Sequence, residues 1–119
     1  MHQFLPYAWF EGRCIPFDQA KVSIATHALH YGTGAFGGMR AIPDPEKPGG
    51  MLLFRPDRHA RRLSQSAKLL LADLTEETVM EALVAVLRAN KPTTPIYLRQ
   101  FVYTSDLGIA PRLHNIETD

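Results

Sequence analysis

A single cysteine, Cys14, among 119 residues leaves no internal disulfide and fits a reducing cytoplasm. An excess of charge is missing as well: 13 Lys plus Arg face 12 Asp plus Glu, for a formal net charge of +1. Without a basic excess there is little counterion release to drive binding, which argues against a nucleic-acid partner. There is no targeting pattern at the start, because Met1 to Pro6 has no basic region and Glu11 soon interrupts the apolar residues. The longest charge-free stretch, Val22 to Met39, has the length of a membrane span. It holds Gly32, Gly34, Gly37 and Gly38 beside His27 and His30, so no membrane crossing is expected.

What is present is ordinary for a globular protein: 45% hydrophobic and 21% charged residues. One domain of this length buries roughly two-thirds of its unfolded surface. It is nevertheless small for an enzyme that binds a sizeable cofactor. A glycine-rich stretch that also carries Tyr31 and Phe36 points to backbone packed closely beside a ligand.

The spacing of residues predicts a first hairpin, Tyr7 to Phe10 and Arg13 to Pro16, turning at Glu11-Gly12. A helical turn over Ala28 to Tyr31 stops at Gly32. Strands over Ala35 to Ile42 and Met51 to Phe54 flank the Pro- and Gly-rich loop of residues 43–50. A helix opening at Pro56-Asp57 carries Ala60, Leu63, Ala67, Leu70 and Leu71 on its expected buried face. A second helix has Thr75 as N-cap, a stripe of Val79, Leu83, Val86 and Leu87, and an end at Asn90. Ile96 to Tyr103 is the strongest strand, and the pattern is lost from Ser105 onward. The order predicts an α+β domain, an antiparallel or mixed sheet with two main helices packed on one face.

On the last strand, alternation puts Tyr97, Arg99, Phe101 and Tyr103 on one face and Ile96, Leu98, Gln100 and Val102 on the other. A tyrosine-flanked arginine is a sensible receptor for a carboxylate, although the same arrangement is common on a solvated sheet face. Arg58, Arg61 and Arg62 are spaced as one basic patch, suited to a phosphate or simply to solvent. Gly32 to Gly37 fits a G-x-G-x-x-G pattern but precedes a strand, so a dinucleotide site is rejected. His27 and His30 have no partner at metal-ligand spacing, and no metal is expected. Local chemistry alone assembles no complete catalytic machine.

Taken together, Ala28-Leu29-His30-Tyr31-Gly32-Thr33-Gly34-Ala35-Phe36-Gly37-Gly38-Met39-Arg40 resembles a signature of branched-chain amino acid aminotransferases. Trp9-Phe10-Glu11-Gly12, Leu53-Phe54-Arg55, His59 to Leu63, Ser66-Ala67-Lys68, Tyr97-Leu98-Arg99 and Asp106-Leu107-Gly108 follow in the same order. The resemblance implies a fold type IV enzyme using pyridoxal 5'-phosphate, a cytoplasmic homodimer of branched-chain amino acid biosynthesis built from a small N-terminal and a larger C-terminal domain. It implies transfer of amino groups between L-Leu, L-Ile or L-Val and 2-oxoglutarate, giving the branched 2-oxo acid and L-Glu. By matching position, Arg62 binds the cofactor phosphate, Tyr31 and Phe36 line the substrate pocket, and Tyr97 and Arg99 shape it and meet the substrate carboxylate. Parts of this set act across the dimer interface.

Two positions depart from the pattern: Gly37 stands where the family commonly has glutamate, and Gln100 where it has proline. The resemblance also places the Schiff-base lysine in the larger domain, and Lys21, Lys47, Lys68 and Lys91 do not match its position. The expectation is therefore a single small domain over residues 1–119, with 105–119 starting the interdomain linker and the lysine domain absent. No catalytic residue is expected in this chain, which alone should not transaminate. A D-amino acid aminotransferase or an aminodeoxychorismate lyase shares the fold. A non-catalytic small-molecule binding or dimerisation module is the reading from another class.

Overall fold

The structure, a computed structural model, describes residues 3–105. Strand β1 (Tyr7–Phe10) pairs antiparallel with β2 (Arg13–Pro16), Trp9 opposite Cys14. Both turn residues have positive φ, 52° at Glu11 and 86° at Gly12. That is the geometry a two-residue hairpin turn needs to follow the strand twist. Helix α1 (His27–Tyr31) is a short segment ended by Gly32 at φ 64°, where a side chain is disfavoured.

A second, three-stranded sheet is antiparallel throughout, in the order β4-β3-β5. Its centre is β3 (Gly34–Pro43), flanked by β4 (Met51–Leu53) and β5 (Ile96–Tyr103). The two sheets are separate; the expected single sheet is divided because the first hairpin packs on α3 (Glu76–Asn90) instead. Helix α2 (Pro56–Lys68) lies on the three-stranded sheet, and α3 packs against α2.

The core follows the alternation. Met39, Ala41, Leu98 and Val102 point from the sheet toward Ala60, Leu63 and Ala67 of α2, with Val79 and Leu83 of α3 closing it. Small alanines on α2 let the helix approach the sheet closely. Thr75 caps α3, its Oγ1 accepting from Thr78 N at 3.2 Å, as its sequence suggests.

The buried face of α2 is shorter than expected. The helix stops at Lys68, and Leu71 takes φ 59° with its side chain 68% exposed, while Leu70 is only half-buried. Leu71 N donates to Lys68 O and Ala72 N to Ala67 O, each at 3.0 Å. This pair of bonds closes the helix end around a left-handed residue, and Ala72 takes the buried place. Periodicity carries no signal for that closure because leucine, unlike glycine, does not advertise it. The expected linker from Ser105 lies, beyond Ser105 itself, outside the described residues, as does Asp106-Leu107-Gly108-Ile109.

Candidate active site

The pairing of β3 with β5 sets Gly38 opposite Arg99, Phe36 opposite Phe101 and Arg40 opposite Tyr97. Paired residues share a face, so these side chains all stand on the side away from α2. There Arg99 is held between two rings, its Cζ 4.4 Å from the Phe36 centroid and 5.7 Å from that of Tyr97. Attraction between a guanidinium and aromatic faces fixes the cation's direction without neutralising it. Phe36 and Tyr97 remain 59% and 57% exposed, so the face is open to a ligand.

Gly38 makes this arrangement possible. A Cβ there would meet the Tyr97 hydroxyl and stand 2.7 Å from Tyr97 Cζ. The tyrosine therefore lies across the glycine. One oriented cation, a phenol beside it and an aromatic wall can grip a carboxylate while packing an apolar side chain.

Tyr31 sits apart, at the end of α1. Its ring packs 4.7 Å from His27 and 6.4 Å from His30 rather than on Phe36 or Tyr97. His27 is 1% exposed, and its Nδ1 is 2.9 Å from Thr33 Oγ1. His30 Nε2 donates to Ile24 O at 2.8 Å. Two backbone bonds, Ala28 N to Thr104 O and Thr104 N to Thr33 O, tie this segment to the end of β5. Both histidines are thus engaged in holding local structure. Among the described residues no three His, Cys, Asp or Glu gather as a metal site.

Arg62 projects from α2. With Arg58 and His59 it lines an open pocket of about 180 Å³. Arg61 does not join them: its Nε lies 3.6 Å from Glu76 Oε1, so the expected patch of three arginines is reduced to Arg58 and Arg62. Spacing of i and i+4 aligns those two, while i+3 carries Arg61 toward α3. At the helix start Arg55 donates from Nε and Nη2 to the Asp57 carboxylate at 3.1 and 2.8 Å. That fork holds the Asp57 pKa at about 2, below the usual carboxylate range.

The guanidinium of Arg62 comes close to β3. A Cβ on Gly37 would stand 3.8 Å from Arg62 Nη2 and 3.0 Å from Gln100 Oε1. Gly37 and Gln100 are direct cross-strand partners, so the two positions that depart from the family pattern face each other. Arg99 and Arg62 accordingly occupy opposite sides of β3, one residue apart along it. His59, Gly38 and Gln100 were not among the site residues expected from the sequence. The β3–β5 register that places Gly38 and Gln100 joins segments about sixty residues apart and has no local sign.

No family model matches the chain. It is 59% identical, over all of its length, to a probable branched-chain-amino-acid aminotransferase from Synechocystis, of which it spans 39%. The structure superposes on a branched-chain aminotransferase from Thermoproteus uzoniensis with norvaline, at TM-score 0.86 and 31% identity, covering 97% of this chain and 38% of that one. It also matches the PLP-form of such an enzyme from Thermobaculum terrenum, at TM-score 0.82 and 27% identity, over 96% of this chain and 38% of that one. The chain thus spans about two-fifths of the length of these relatives. Along the chain's entire length, the relatives and solved structures that it matches are branched-chain aminotransferases of fold type IV architecture, and the chain corresponds to an N-terminal part of them.

Proposed function

We propose that the chain forms the small N-terminal domain of a pyridoxal-phosphate-dependent branched-chain-amino-acid aminotransferase. The substrates are L-Leu, L-Ile or L-Val with 2-oxoglutarate, the protein works as a cytoplasmic homodimer, and the pathway is biosynthetic. The observation that carries this reading is Arg99 fixed between Phe36 and Tyr97 on an open sheet face. Amino-acid and 2-oxo-acid substrates share a carboxylate, and a guanidinium beside a phenol receives it. Phe36 supplies an apolar wall for the branched side chain, and Tyr31 lines the pocket of its own or the neighbouring subunit.

The residues present fit a phosphate-bearing cofactor. Arg62 and Arg58 converge on one open pocket, where charge-assisted hydrogen bonds hold a phosphate dianion. Pyridoxal phosphate, when bound, supplies the electron sink that transamination needs. This chain's part is to anchor the phosphate with Arg62, orient the substrate with Arg99 and Tyr97, and exclude water with Phe36.

Proton transfer requires a lysine shielded from solvent. Lys21, Lys47, Lys68 and Lys91 are all exposed here. A larger domain provides that lysine. The test compares the protein containing both domains with this chain alone, each given pyridoxal phosphate, L-leucine and 2-oxoglutarate. Turnover is expected from the first and none from the second. Turnover by the chain alone, or none by the two-domain protein, would refute the reading.

A further inference from the structure

Gln100 is the one polar side chain in the inward row of β5, among Ile96, Leu98 and Val102. Its carboxamide lies over Gly37, the residue directly across the strand pair. The bare backbone of Gly37 leaves room for both Gln100 Oε1 and Arg62 Nη2, 3.0 and 3.8 Å from the point a Cβ would occupy. Gln100 Nε2 is fully buried and has no hydrogen-bond partner among the described residues. An unpaired buried donor destabilises a fold, and methionine or leucine of similar size avoids that penalty. The carboxamide is therefore not explained by the stability of the domain. What stands beside it is the Arg62 guanidinium.

We propose that Gln100 is a positioning residue for Arg62, aiming the guanidinium at a phosphate group in the pocket shared with Arg58 and His59. No hydrogen bond joins the two in this structure; as proposed, the uncharged carboxamide oxygen accepts from the guanidinium once a phosphate draws it into place, and so orients the cation while leaving its full attraction for an anion. A carboxylate at the same place would hold Arg62 as well, but would neutralise it. Gly37 is the counterpart of this device, because any side chain there displaces the Gln100 oxygen.

The inference rests on Arg62 as the phosphate ligand, and the experiment separates the two claims. In the protein containing both domains, the dissociation constants of pyridoxal phosphate and of unphosphorylated pyridoxal are measured for wild type, Gln100→Met, Gln100→Glu and Arg62→Ala. Gln100→Met is expected to weaken pyridoxal phosphate about tenfold and Gln100→Glu more than tenfold, with pyridoxal unchanged in both. Wild-type affinity in both Gln100 variants, with loss in Arg62→Ala, overturns the inference and leaves Arg62 in place. Equal weakening of both ligands in the Gln100 variants assigns Gln100 to packing and also overturns it. Should Gln100→Met fail to fold, the near-isosteric Gln100→Glu decides alone. If Arg62→Ala keeps the preference for the phosphorylated ligand, both claims fall.

Discussion

Asn90, the last residue of α3, takes both backbone polar groups of Tyr7, the first residue of β1. Its Oδ1 accepts from Tyr7 N at 2.9 Å, and its Nδ2 donates to Tyr7 O at 3.0 Å. Nδ2 also donates to Val86 O at 2.9 Å. One amide thus stands in for a neighbouring strand at the edge of the first hairpin and ties it to the helix. Asn90→Ala leaves the exposed Tyr7 backbone groups to water and is expected to cost about 0.5–1.5 kcal/mol, read as a lower urea midpoint at an unchanged slope.

Leucine at φ 59° is strained, and Leu71 exposes most of its side chain while accepting that strain. Replacing it by glycine is expected to stabilise the domain by about 1 kcal/mol, since the left-handed conformation is free for glycine. A thermal melt that falls for Leu71→Gly would refute the assignment of the helix end.

Gly38→Ala forces the Tyr97 ring out of its place over β3. The ring is exposed and can swing away, so stability is expected to change by less than about 1 kcal/mol. Its partnership with Arg99 is lost. In the two-domain protein KM for L-leucine is expected to rise about tenfold, a loss of about 1.4 kcal/mol in substrate binding, with pyridoxal-phosphate affinity unchanged. An unaltered KM would remove Tyr97 from the substrate pocket.

The Arg55 fork lowers the Asp57 pKa to about 2 from an ordinary carboxylate value near 4. A depressed folded pKa contributes stability above the unfolded value, and that stability disappears as pH falls through the folded one. Between about pH 4 and pH 2, then, this contribution fades with acidification, and Asp57→Asn removes it from the profile. The pair is exposed, so added salt should move the midpoint upward, measurable by NMR titration of the Asp57 carboxyl.

Local chemistry alone makes the first hairpin, both long helices and β5 legible in the sequence. Glu11-Gly12 is a turn, Gly32 stops a helix, Thr75 starts one, and the alternation from Ile96 to Tyr103 sorts two faces. The inward row of β5, from Ile96 to Val102, lies toward the core as the alternation requires. Tyr103 was placed outward with Arg99 but is itself buried, stacked 5.7 Å from Phe101. Nothing local shows which residue of β3 meets which of β5, so the facing of Gly37 by Gln100 and of Gly38 by Arg99 stayed hidden. Arg61 leaves the expected arginine patch for a similar reason: its direction is set by Glu76 on another helix. The grouping of Phe36, Tyr97 and Arg99 was expected, whereas Tyr31 packs on histidines of its own segment.

The strand β3 alternates between two duties, with Phe36 and Gly38 facing the open side and Gly37, Met39 and Ala41 facing α2. Substitutions on it act one face at a time. An inserted or deleted residue inverts every position beyond it, sending Arg40 into the core and Met39 to the surface. Length variation among relatives should therefore be confined to the 44–50 connection, which lies past the end of the strand and touches neither cation.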